Sequence, residues 1–231
     1  MTNVIQETQS ATETRSGAGD KGMQPFPVVF FADFTCPYSY IAQAQVDNLI
    51  RDYGVQPLWR PHWLHPDMPP EGRPYAADPE RRKATLAWLR EMEPEKAAPM
   101  RLPDKQQFSF HAFEALEYAE DHGLALPFKS AVFDALWVEG KDIGQANTLM
   151  EAADKVGLNA EELGRALHER TYALRALEAV MTAAKIGVTA TPTVFLGRAK
   201  IIGWHYYEVF QTVLAQQGIS PKVATAATAQ A

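Results

Sequence analysis

The run Val28-Val29-Phe30-Phe31-Ala32-Asp33-Phe34 passes directly into Thr35-Cys36-Pro37-Tyr38-Ser39-Tyr40, and this junction constrains the fold more than any other stretch. Val28 to Phe34 has the β-branched and aromatic composition of a strand buried on both faces. Pro37 suits the first turn of a helix, where its missing N–H costs nothing and its fixed φ is already helical. Ile41, Ala44, Leu49 and Ile50 then give one apolar face to a helix from about Pro37 to Tyr53, which Gly54 stops. Val55 to Pro61 reads as a second strand. Two strands joined by a helix of this length form a right-handed parallel βαβ unit, so the chain is of the α/β class.

The only cysteine among the 231 residues stands at this junction. At the expected N-cap, Cys36 would meet unpaired amide N–H groups and the positive end of the helix dipole. Both favour the thiolate, which is the nucleophilic form. Ser39, three residues on, can lay its hydroxyl beside the sulfur. The alternative reading is a small buried hydrophobe, the usual role of a free cysteine. A single cysteine excludes an intramolecular disulfide framework, and cytoplasm is the simplest compartment to expect.

With 22 basic and 28 acidic residues, a formal charge of −6 and no basic cluster, the chain is not expected to bind nucleic acid. No apolar run reaches the roughly 20 residues that cross a bilayer, so no membrane partner is expected. The N-terminus lacks a charged start followed by an apolar core, which argues against a secretory signal. A chain that is 46% hydrophobic over 231 residues can build one large core, or a core with a substantial insertion.

Residues 1–24 and 218–231 read as disordered tails. Pro61 to Pro79 carries six prolines in 19 residues and must be an extended loop. Its His62, His65 and Asp67 could suggest a metal site, but zinc needs a fixed geometry that prolines obstruct. No metal is expected; Trp63 and Leu64 should pack down while the polar groups face water. From Pro79 to about Lys185 the pattern is helical: Ala84 to Met92, a broken stretch to Pro103, then Phe108 to His122, Pro127 to Val138, Asp142 to Val156 and Ala160 to Lys185. In the last, Leu163, Leu167, Arg170, Leu174, Leu177 and Met181 recur at steps of four and three, which predicts one buried face. Thr193 to Leu196 and Ala199 to Ile202 read as a hairpin, with a closing helix from His205 to Gln216. Pro192 should stand at the strand entrance, since it cannot donate to a ladder, and a cis Thr191–Pro192 bond is an open possibility.

The order strand, Cys-Pro-x-x helix, strand, helical block, Thr-Pro, hairpin and helix resembles the DsbA-like branch of the thioredoxin fold, and within it the FrnE-type proteins. The resemblance covers about residues 26–216. It rests on Asp33-Phe34-Thr35-Cys36-Pro37-Tyr38-Ser39-Tyr40-Ile41, on Arg60-Pro61 followed by His65-Pro66-Asp67-Met68-Pro69-Pro70-Glu71-Gly72, on Glu139-Gly140-Lys141-Asp142-Ile143-Gly144, and on Gly187-Val188 with Thr191-Pro192-Thr193. It implies a thioredoxin-like domain of residues 25–78 and 186–217, interrupted by an all-helical insertion of 79–185 whose last helix, about 160–185, can belong to either part. It implies further that Cys36 is the nucleophile, assisted by Ser39, and that Pro37, Tyr38, Thr191 and a cis Pro192 meet the substrate.

One departure matters: the family usually has a second cysteine where this chain has Ser39. Serine cannot attack a mixed disulfide, so an outside thiol such as glutathione would have to release it. The related 2-hydroxychromene-2-carboxylate isomerases and kappa-class glutathione transferases carry serine at the position of Cys36, followed by the same Pro-Tyr-Ser. Three functions follow: a monothiol thiol–disulfide oxidoreductase or isomerase, a glutathione-dependent transferase or isomerase of a small aromatic compound, and a non-catalytic binding module. The expected partners are a thiol or disulfide substrate, protein or small molecule, and a second copy in a homodimer. No tightly bound cofactor is expected, with glutathione as co-substrate.

Overall fold

The computed structural model describes residues 26–76 and 78–222. The tail expected over 1–24, and residues 223–231 of the C-terminal one, lie outside the described residues.

Strand β1 (Val28–Ala32) is central in a four-stranded sheet of order β2-β1-β5-β6. It pairs in parallel with β2 (Leu58–Pro61) and antiparallel with β5 (Thr193–Leu196), which turns back into β6 (Ala199–Ile202). Phe31 is thus flanked by Arg60 on one side and Thr193 on the other. Four of its five residues are buried, as a strand covered on both faces requires. It ends two residues before Phe34, because the chain turns at Asp33.

The helix after Cys36 is two helices, α1 (Pro37–Ile41) and α2 (Gln43–Tyr53). At the junction the buried Gln43 side chain donates to the Tyr40 carbonyl at 3.1 Å. Gly54 ends α2 at φ 66, a left-handed conformation that favours glycine. At the far end of the described chain, the Lys222 amide donates to the Asp52 carbonyl at 2.7 Å.

Between β2 and β5 lies the helical insertion: α3 (Pro79–Met92), α4 (Pro94–Ala97), α5 (Phe110–Asp121), α6 (Ala125–Trp137), α7 (Ala146–Lys155), α8 (Ala160–His168) and α9 (Ala173–Lys185). α3 starts five residues before the expected segment, since Asp78 caps it and Pro79 opens it. The proline-rich loop is not wholly irregular. Two of its residues form β3 (Arg73–Pro74), paired antiparallel with β4 (Lys105–Gln106), a ladder too short to leave a pattern in sequence. α10 (Tyr207–Gln216) closes the fold.

The helix expected over Ala160 to Lys185 is broken, and its continuous buried face is a correction. Arg170 adopts φ 58 while its guanidinium pairs with the buried Glu114 of α5 at 2.8 Å. Leu163 and Leu167 are buried, but beyond the break Leu174 is 76% exposed, with Leu177 and Met181 also facing out. The new helix turns Ala176 and Ala183 inward instead. Small residues let α9 lie close against β2 and α5.

Sheet and helices share one core. Phe34 stacks on Trp59 of β2 at 4.9 Å and on Phe113 of α5 at 5.9 Å, and meets Phe133 of α6 at 4.9 Å. The residue before the cysteine turn is therefore held from both parts of the fold.

Candidate active site

Cys36 is the N-cap of α1, in extended conformation (φ −86, ψ 115), with Pro37 at the first helical position. Its amide donates to the Asp33 carbonyl at 3.1 Å, and its carbonyl accepts from the amides of Ser39 and Tyr40 at 3.0 and 3.2 Å. Asp33 organises the turn. Its fully buried carboxylate accepts from the amide and hydroxyl of Thr35 (2.9 and 2.8 Å), the amide of Leu64 (2.9 Å) and the hydroxyl of Ser109 (3.2 Å). Trp137 of α6 adds an indole N–H to the Phe34 carbonyl at 2.9 Å.

The second segment arrives from β5. The Thr191–Pro192 peptide bond is cis, and the Cys36 thiol donates to the Thr191 carbonyl at 3.5 Å across 155 residues of sequence. The Thr193 hydroxyl donates to the Ala190 carbonyl at 2.8 Å, and the Gly203 amide to the Pro192 carbonyl at 2.8 Å, fixing that loop. Cys36, Ser39 and Thr191 therefore meet, with Pro192 beside them. Two buried hydroxyls, Ser39 Oγ and Thr191 Oγ1, have no hydrogen-bond partner among the described residues and lie close enough to influence the sulfur.

The electrostatics reverse one expectation. Burial pushes the Cys36 thiol up; the Thr191 and Ser39 contacts pull it back, and the Asp33 carboxyl adds to the rise. The N-cap position does not win because the sulfur is only 5% exposed as part of its residue and α1 spans five residues. Its hydrogen bond to the Thr191 carbonyl, unlike the contacts from the Thr191 and Ser39 hydroxyls, suits the protonated form. Alkylation of Cys36 followed against pH should accordingly show a midpoint above the ordinary thiol value of about 8.5. A midpoint below it would mean that the helix terminus outweighs burial. Asp33 is itself raised, by burial, against the pull of all four of its hydrogen bonds.

Cys36 opens on a cleft of about 350 Å³, bounded by Pro37, Tyr38, Leu64, Leu89, Leu102 and Trp137. Tyr38 stands edge-on to Trp88 at 5.7 Å. Ser39 lies beneath this surface at 0% exposure. His62 is half-buried, and its imidazole is held below the usual range by burial despite the Asp33 carboxylate. Trp63 packs on Phe110 at 4.7 Å, and Asp67 pairs with Arg73 at 3.2 Å. Among the described residues no three His, Cys, Asp or Glu side chains are grouped to hold a metal.

The family model of the DSBA-like thioredoxin domain matches residues 27–215, the span that carries this sheet, the cysteine turn and the cis-proline loop. The chain belongs to that family. It is 25% identical over 190 residues to the uncharacterized protein YwbO of Bacillus subtilis, covering 81% of this chain and 94% of that one. It is 30% identical over 142 residues to a 2-hydroxychromene-2-carboxylate isomerase of Sphingobium xenophagum, covering 58% and 70%. Among solved structures, a probable DsbA oxidoreductase from Streptomyces coelicolor superposes with a TM-score of 0.74 at 24% identity, covering 83% and 89%. The cytosolic disulfide reductase DsbM of Pseudomonas aeruginosa, solved with glutathione, does so at 0.61 and 17%, covering 83% and 98%. The thioredoxin-like fold with a helical insertion is thus shared with DSBA-like oxidoreductases and an isomerase.

Sequence reasoning gave no role to Asp33, Trp137 or Arg82, which the fold brings to this turn and its cleft. For Asp33 a signal existed: it is the one charge in an otherwise apolar run from Val28 to Phe34. Trp137 and Arg82 carried none. No helix among the described residues is long and apolar enough to cross a membrane.

Proposed function

We propose that this chain is a monothiol thiol–disulfide oxidoreductase or isomerase that works with an external thiol, glutathione being the natural candidate. The supporting observation is one sulfur, Cys36, beside a cis-proline loop with serine at position 39. Cys36 loses its proton to solvent and attacks one sulfur of a disulfide. A Cys36–substrate bond forms as the substrate S–S bond breaks, and the second sulfur leaves as thiolate. The unpartnered hydroxyls of Ser39 and Thr191 can then donate to the Cys36 thiolate whenever it is re-formed. An external thiolate attacks the substrate sulfur of the mixed disulfide, and Cys36 departs with the electron pair. Pro37, Tyr38, Thr191 and Pro192 supply the contact surface, and a reducing compartment such as the cytoplasm would supply the thiol.

Intact mass tests this. The chain should accumulate a stoichiometric adduct when given a small disulfide alone, and lose it when glutathione is added. An accessible Cys36 that forms no adduct in excess disulfide would sink the reading. The apolar cleft and the similarity to an isomerase of an aromatic carboxylate favour a second reading, a glutathione-dependent isomerase or transferase of a small aromatic compound. Glutathione turnover without a mixed disulfide at Cys36 would select it.

A further inference from the structure

The cleft above Cys36 carries one feature that disulfide exchange does not require. Its walls are apolar or neutral nearly throughout, and no aspartate or glutamate among the described residues lines it. Arg82, from the first turn of α3, reaches into it. The guanidinium lies 3.7 Å from the centre of the Tyr75 ring and donates to the Pro103 carbonyl. Among the described residues it pairs with no carboxylate, as is true of arginines 81, 90, 101, 165 and 198, but it alone of these lines the cleft. Arg82 is only half-buried, so the cation is oriented by a ring and a carbonyl while part of its donor edge stays free. Arginine presents five N–H donors, and the single carbonyl contact leaves most of them available to an oxyanion.

A volume of about 350 Å³ falls in the range of small-molecule sites and is too confined for a folded protein surface. We propose that this cleft selects a small thiol or disulfide with an apolar, preferably aromatic, body and an anionic group, and that Arg82 binds the anion. This deepens the exchange reading of Cys36 and rests on it. The apolar body would lie against Tyr38, Leu89 and Trp137, with its sulfur at Cys36 and its carboxylate at Arg82. The chain's net charge of −6 would otherwise disfavour an anionic substrate, which makes a local cation the deciding group.

The test compares two aryl disulfides on the full-length protein at one pH and ionic strength: dianionic 5,5′-dithiobis(2-nitrobenzoate) and neutral 4,4′-dithiodipyridine. Each forms a Cys36–aryl disulfide and releases one light-absorbing product, the thionitrobenzoate dianion from the first and neutral 4-thiopyridone from the second. In Arg82→Gln the ratio of the dianion rate to the neutral rate should fall roughly tenfold or more, the loss of a charge-assisted contact. Arg82→Lys should restore part of the ratio, and Arg81→Gln, on the exposed neighbour, should not change it. An unchanged ratio in Arg82→Gln, or an equal loss with both reagents, overturns the proposal. Failure of Cys36 to react with the neutral reagent in the unaltered protein instead overturns the exchange reading. A second measurement needs no variant: phenylacetate should protect Cys36 from iodoacetamide better than phenylacetamide does, and equal protection also overturns the assignment.

Discussion

Under the proposed exchange mechanism, replacing Ser39 with cysteine is expected to let the chain resolve its own mixed disulfide without an outside thiol. Ser39 lies one helical turn from Cys36, fully buried, and apart from its contact with the sulfur its hydroxyl has no hydrogen-bond partner among the described residues. A thiol there leaves no orphaned partner, so the exchange of oxygen for sulfur should be tolerated by the fold. The second thiolate would attack the Cys36 mixed disulfide within the same molecule, which replaces a bimolecular step by a unimolecular one. At about millimolar glutathione the resolving step should accelerate on the order of 100-fold or more. In a single turnover, release of the substrate thiol would no longer depend on glutathione, which would be needed only afterwards to reduce the disulfide between Cys36 and the introduced thiol, and oxidised Ser39→Cys would be lighter than its reduced form by two hydrogens. A variant that oxidises internally yet still needs glutathione to release the substrate in a single turnover would contradict the assignment of resolution as the step that glutathione performs.

A large gain in stability is expected from Lys129→Met. Lys129 is only 5% exposed on α6, and burial lowers its ammonium from an ordinary 10.5 to about 8. The charged groups facing it are Asp47 on α2, Lys96 on α4 and Asp134 on α6 itself, and the two carboxylates do not offset its desolvation. Below pH 8 the amine is protonated in both states, so the native state carries the full penalty. Between about 8 and 10.5 the native state has released the proton that the unfolded chain still holds. The unfolded state then binds more protons, and stability rises with pH through that window. Removing the amine should therefore raise stability at pH 7 by on the order of 3 kcal/mol, and the advantage should shrink to little by pH 10.5. Denaturant melts of both proteins at several pH values would read this difference, in which the alkaline effects of Cys36 and the tyrosines cancel. Equal stability at pH 7 would show that Asp47 and Asp134 hold the ammonium adequately.

The parts of the fold that sequence disclosed are those whose local chemistry admits one solution. Pro37 after Cys36 fixes a helix start, Gly54 ends α2, and Pro192 at a strand entrance found the cis bond and the sulfur contact that the family resemblance implied. The break at Arg170 was illegible because the leucine period runs straight through it. What stops the helix is a tertiary event, the pairing of Arg170 with the buried Glu114 fifty-six residues earlier. Leu174 misled for a related reason: periodicity shows that one face differs from the other but not what covers it. The raised Cys36 thiol was missed because the depth of the sulfur depends on α6 and the cis-proline loop, neither adjacent in sequence. Arg82 stands in the run Glu80-Arg81-Arg82-Lys83, where nothing separates it from neighbours that face water.

The four hydrogen bonds to Asp33 have a further consequence. They come from three separate segments, the cysteine turn, the chain after β2, and the start of α5. With Trp137 holding Phe34 as well, the sulfur side of the cleft is pinned by the framework of the whole molecule. The opposite wall is the inner face of α3, which supplies Arg82, Thr85 and Leu89 and is otherwise largely exposed, with only Leu89 and Met92 of its fourteen residues buried. Under the proposed roles of Cys36 and Arg82, reactivity and selectivity would fall to different pieces of chain. Changes along α3 would then retune which compounds are admitted while Cys36 keeps its position, a route to new small-molecule specificities that would leave the chemistry intact.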